Sequence, residues 1–330
     1  MVLLPATAAT ADPARPTDYR ARILEIHPAL PHGFGVEVVG GDAFLELDVP
    51  RGHTAEVADY PSGSGTTPRP YLRFLGDGTV ERNDRSTAAA ANQSRFGTSA
   101  TTPDPRARPR WRVVARHGSY VWHDHRIHWM STTAPTAVDR RGRVDLGGRN
   151  GTWTVPMVVD GHQVTVRGEL LLLASPNPMP WYALAALPPV IAIGVGLRAA
   201  RSRRDPAYRA VAFTAVVAGG AASVVGWAAW RSIPAAAGGN VLPFVVPAVG
   251  LAGAAIAAVA PTRFRLPALG VAAACLLGWS GLRTAVFGHA VLPTDLPFAV
   301  DRAATALALG VGLAVALLLV WVPPRASRPA

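Results

Sequence analysis

The chain has 330 residues, a formal net charge of +11, no lysine and one cysteine. The charge is unevenly spread: residues 1–180 hold 20 Arg against 18 acidic groups, whereas the remainder holds 12 Arg against 3. Nine of those 12 (Arg198, Arg201, Arg203, Arg204, Arg209, Arg263, Arg265, Arg325, Arg328) fall between or after apolar runs, a pattern of membrane topology that excludes nucleic-acid binding as the origin of the charge. Cys275 lies inside an apolar run. No intrachain disulfide can form, and the polar half has no thiolate for a metal, which excludes blue-copper and other Cys-ligated centres there.

In chain order, residues 1–12 read as the remnant of a secretory signal, with a small-residue pattern ending at Ala11 that suits cleavage. Either the start codon lies upstream, or the first membrane helix carries the domain across. Residues 13–176 then form a polar domain. β-rich or alternating runs occur at 19–26, 34–39, 43–49, 54–58, 71–75, 111–116 and 119–122. Two more, 152–159 and 163–173, flank Asp160-Gly161, a strong two-residue hairpin signal. The segment from Tyr71 through Asp77-Gly78 to Val80 reads as a strand, a tight turn and a second strand. Stretches 61–70 and 98–109 are too rich in Pro, Ser, Thr and Gly for core elements and are expected as exposed loops. With no convincing amphipathic helix among them, these strands predict an all-β immunoglobulin-like or cupredoxin-like sandwich. Gly118-x-Tyr120-x-Trp122 resembles the tyrosine-corner region of immunoglobulin-like strands, with Trp122 where those domains often place cysteine.

Residues 177–330 predict an all-α transmembrane bundle of about five helices, at 181–198, 209–230, 241–260, 266–286 and 302–322. The arginine-rich loops assign one side to the cytoplasm, so the β domain is expected outside and the C-terminus inside. Span interiors hold almost no ionisable group apart from Arg283, while Gly219-Gly220…Ser223…Gly226 and Gly250-x-x-Gly253 suit close helix packing.

The densest chemistry is Trp122-His123-Asp124-His125-Arg126-Ile127-His128-Trp129-Met130, with three of the nine histidines. If the strand at 119–122 continues, His123 and His125 project from one face, about 6–7 Å apart at Cα. His128 joins them only if the chain bends near Arg126-Ile127. The candidate metal ligands are His123, His125, His128, Asp124 and Met130. Imidazole suits zinc, copper, iron or nickel and thioether leans to Cu(I), so copper ranks first and zinc second. The bland alternative is a hydrogen-bonded network that only orders a turn. His27, His32, His53, His117 and His162 read as surface or turn residues. No phosphate loop, nucleophile elbow or HExxH helix is present.

On the Tyr-x-Trp-His-Asp-His-Arg-Ile-His-Trp-Met motif, on Tyr71-Leu72-Arg73-Phe74 with Asp77-Gly78, and on Trp153-x-Val155-Pro156…Asp160-Gly161, the chain resembles a group of actinobacterial membrane proteins. That group brings no chemistry to the reading. The layout is also similar to copper-resistance fusions of a periplasmic copper binder with a membrane partner. This chain departs from them: no histidine stands at a plausible mature N-terminus, and the spans lack the polar residues expected of a copper-handling membrane domain. The departures argue against transport and leave copper binding by the His123 cluster. The expected function is extracytoplasmic metal capture or delivery without catalysis, with the lipid bilayer and an envelope protein as partners and no nucleic acid. The rival is a structural or interaction membrane protein without metal. A metal-dependent oxidoreductase is a third reading and requires a substrate cavity.

Overall fold

Alternating side chains and tight turns build the N-terminal half, and sustained apolar runs build the C-terminal half. The structure is a computed structural model that describes residues 14–61, 69–92, 107–202, 206–233 and 240–321. The signal remnant at 1–12, and most of the two loops expected at 61–70 and 98–109, lie outside the described residues. Two compact units are seen: Met1–Ala174 with Ser232–Gly239 and Ala290–Pro293, and Ser175–Arg231 with Asn240–His289 and Thr294–Ala330.

The first unit is an antiparallel β-sandwich. Its strands are β1 (Tyr19–His27), β2 (Gly35–Val39), β3 (Phe44–Asp48), β4 (Ala55–Ala58), β5 (Pro70–Phe74), β6 (Val80–Asn83), β7 (Trp111–Ala115), β8 (Ser119–His123), β9 (Arg143–Val144), β10 (Trp153–Val159) and β11 (His162–Leu172). One sheet runs β1-β11-β10-β4-β5-β6-β7 with β9 against β11, and the other runs β2-β3-β8. Strand periodicity sets the facing. In β10, Trp153, Val155, Met157 and Val159 are buried and Thr154 and Pro156 are exposed. From the small sheet, Leu45, Leu47, Tyr120 and Trp122 enter the same core. Their neighbours Phe44 and Val121 pack on the small sheet's other face with Val39 and Ala43.

Two turns fix registers that matter below. Asp160 and Gly161 take φ of 47° and 81°, the left-handed pair of a primed hairpin, and pair Val159 with His162. Gly118, at φ 74°, turns the chain into β8 so closely that an added Cβ would lie 2.3 Å from the Val49 carbonyl oxygen. The sequence reading missed β9 and a short helix, α1 (Thr87–Ala91). Five residues carry too little periodicity to register as an amphipathic helix. Ser86 caps it, its side chain accepting from the Ala89 N–H.

The second unit holds α2 (Met179–Ser202), α3 (Pro206–Arg231), α4 (Leu242–Val259), α5 (Thr262–Gly281) and α6 (Phe298–Trp321). Among the described residues four segments are long and apolar enough to cross a membrane: Ala210–Arg231, Leu242–Val259, Arg263–Gly281 and Phe298–Val320. The first expected span, 181–198, falls on α2, whose apolar stretch Met179–Gly194 is shorter and contains Pro188-Pro189. Small residues bring the helices together. A Cβ on Gly226 would lie 2.0 Å from the Pro243 carbonyl oxygen, and one on Gly253 would lie 2.9 Å from that of Ala268.

The last span, expected from 302, begins at Phe298, which puts Asp301 in the first turn of α6, fully buried against Arg283. An acidic residue in a helix's first turn looks like a loop residue until its partner is known.

Candidate metal centre

β8 ends at His123, and the chain then turns instead of continuing as a strand. The Ile127 N–H donates to the Asp124 carbonyl at 3.2 Å, closing a turn over Asp124–Ile127. Ile127 anchors that turn. Its side chain is fully buried in the sandwich core, a burial that contributes roughly 1.5–3 kcal/mol. His123 and His125 therefore do not share a strand face. The bend that a three-histidine site requires is this turn, and it returns His128 onto His123.

The result is a triad. The ring centroids of His123 and His128 are 4.4 Å apart, those of His123 and His125 5.3 Å, and those of His125 and His128 5.1 Å. One nitrogen from each ring lies within 4.8 Å of the others. His123 and His128 are buried and His125 is half-buried. Nitrogens bound to one ion at about 2.0–2.1 Å sit about 3.4 Å apart in a tetrahedral site. Side-chain torsions need to close the triad by up to about 1.4 Å.

Hydrogen bonds select the nitrogens on offer. His123 Nδ1 lies 2.6 Å from the Ala43 carbonyl oxygen, and His128 Nδ1 lies 3.1 Å from that of Asp124. A carbonyl has no proton to give, so both Nδ1 atoms donate and each neutral ring keeps its lone pair at Nε2. Metal-binding histidines are commonly oriented in this way. His125 is held through its backbone: its N–H donates to the Tyr60 hydroxyl at 2.8 Å, and the Tyr60 ring stacks on its imidazole at 6.3 Å.

Asp124 is at the centre of the sequence cluster, but its carboxylate serves the turn. It accepts from Arg126 Nη2 at 2.6 Å and Nε at 2.8 Å, from the Trp122 indole at 2.8 Å, and from the Arg126 backbone N–H at 3.0 Å. Burial pushes its pKa up, but the Arg126 charge and these hydrogen bonds outweigh that and hold it below the ordinary carboxylate range. Arg126 also donates to the Ala58 carbonyl at 3.2 Å, tying the turn to the large sheet. Met130, the other candidate ligand, is 40% exposed.

Beyond the motif, Tyr60 and Asn92 complete the surroundings. Tyr60 hydrogen-bonds Asn92 Oδ1 and lies 3.3 Å from Asp124 Oδ1; burial first, and then the Asp124 charge, push its phenol pKa well up. The Asp59 carboxylate accepts from the Thr87 and Ala88 N–H groups at 2.8 and 2.7 Å and so fixes α1, whose C-cap Asn92 accepts from the Tyr60 hydroxyl. No sequence signal marked these residues, because they meet the motif only through the fold. His53 and His162 gather at the Asp160 hairpin, at 2.7 Å and 3.0 Å from its oxygens, while His27, His32 and His117 are exposed.

Comparison with protein-family models, with curated proteins and with solved structures returns no match. The chemistry of the site rests on its geometry.

Proposed function

We propose that this membrane protein captures or delivers a transition-metal ion, copper first and zinc second, through His123, His125 and His128, without catalysing a reaction. The observation that carries this is the convergence of three imidazoles, with Nδ1 of His123 and of His128 each donating to a backbone carbonyl. Neutral imidazole with no thiolate is a donor set that copper and zinc both accept. The turn-ordering rival has its own support, since Asp124 and Arg126 do brace the turn. Asp124, Arg126 and Ile127 brace the turn, and bracing a turn gives no reason for three rings to converge.

The test is metal stoichiometry and affinity for the full chain in detergent. Wild type is expected to bind one Cu(II) or Zn(II). His123→Ala, His125→Ala and His128→Ala should each weaken binding by at least about 100-fold, beyond the 10–100-fold that outer-shell changes cost. His162→Ala, at the hairpin, should change it less than about twofold. Equal weak binding by wild type and the His123/His128 double variant would leave the rival standing.

The site is proposed to face the extracytoplasmic side, because the arginine-rich loops favour the cytoplasm. A reporter fused after Pro176 is expected to show phosphatase activity, with a fluorescent protein dark at the same position. The opposite pattern would reverse the orientation and remove the case for an envelope partner.

A further inference from the structure

Resting on that metal reading, we infer that the triad fills three coordination positions of its ion and leaves one open, on the half-buried flank of His125, to a small anion from solution. Among the described residues, the convergent donor group consists of His123, His125 and His128, with no carboxylate or thiolate in it. The carboxylate closest in sequence, Asp124, is fully buried and engaged by Arg126 and Trp122. Four-coordinate zinc bound by three protein ligands keeps a fourth position for an exogenous one, and copper(II) also takes four or more.

Solvent access decides where that position lies. His123 is 3% exposed and His128 is fully buried, whereas His125 keeps partial contact with solvent. Charge decides what fills it. Three neutral imidazoles leave the charge of a divalent ion uncompensated, and the Asp124 charge is already matched by Arg126 at 2.6 Å. An anion therefore binds there better than a neutral molecule of equal size. Hydroxide, azide or a single carboxylate fits this description. The protein side chain best placed in sequence to compete is Met130, two residues beyond His128.

Cobalt(II) makes the position visible through its ligand-field absorption. The full chain in detergent, loaded with Co(II), is expected to show bands that shift saturably with azide, one azide per cobalt. The shift should be the same in Met130→Leu. Bands that form in wild type and vanish in His128→Ala, yet ignore azide, would overturn the open position while leaving the triad as the metal site. An azide response seen only in Met130→Leu would also overturn it, by placing the thioether in the fourth position. No cobalt bands in wild type would sink the metal reading and this inference together.

Discussion

Asp124→Ala is expected to lower the thermal midpoint of the β unit by about 10 °C and to weaken metal binding at least about tenfold. The carboxylate is fully buried and holds the Arg126 guanidinium at 2.6 Å, the Trp122 indole at 2.8 Å and the Arg126 backbone N–H at 3.0 Å. Deleting it strands a guanidinium whose side chain is 14% exposed. Breaking a buried pair from one side costs about 3–5 kcal/mol, a large share of the roughly 5–15 kcal/mol that holds a typical domain folded. Metal affinity follows, because the turn that returns His128 to His123 loses its brace. The backbone carbonyl of Asp124 that orients His128 survives the substitution, so binding weakens without vanishing. Tryptophan fluorescence during heating is a direct readout, since the Trp122 indole is one of the groups released. Adding Arg126→Met should recover more than half of the loss. A double variant as unstable as the single one would show that the ion pair is not the source.

The sequence showed the strands well where period and turn chemistry are local. The Asp160-Gly161 hairpin, the alternation in β10 and the boundary of β8 to within one residue all follow from neighbours in the chain. The triad was only half legible. Three histidines within six residues drew attention, but whether they share a point depended on a turn that is set by the burial of Ile127 and by the Asp124 carboxylate. An extended strand through the same residues would have placed His123 and His125 together and left His128 out. The supporting residues were not legible. Tyr60 stands 65 residues from the His125 N–H that it accepts from, and Ala43 stands 80 from His123. Such contacts come from sheet pairing between β3 and β8 and from the packing of α1. Neither leaves a periodic trace at the site.

Asp301→Ala is expected to be among the most damaging single changes in the helical unit. Arg283 donates to both Asp301 oxygens, at 2.8 and 2.7 Å, and stacks 4.8 Å over the Trp279 ring. Asp301 and Thr305 are fully buried beside it, and the next residue, Arg302, donates to the Val286 and His289 carbonyls at 2.9 and 2.6 Å. These contacts staple the connection between α5 and α6. Loss of the carboxylate leaves a guanidinium whose side chain is only 18% exposed, at a cost of about 3–5 kcal/mol, and lipid offers that charge no better home. The expected readout is loss of most monodisperse protein after detergent extraction, with Arg283→Met/Asp301→Leu close to wild type. A monodisperse, heat-resistant Asp301→Ala protein would count against the pair.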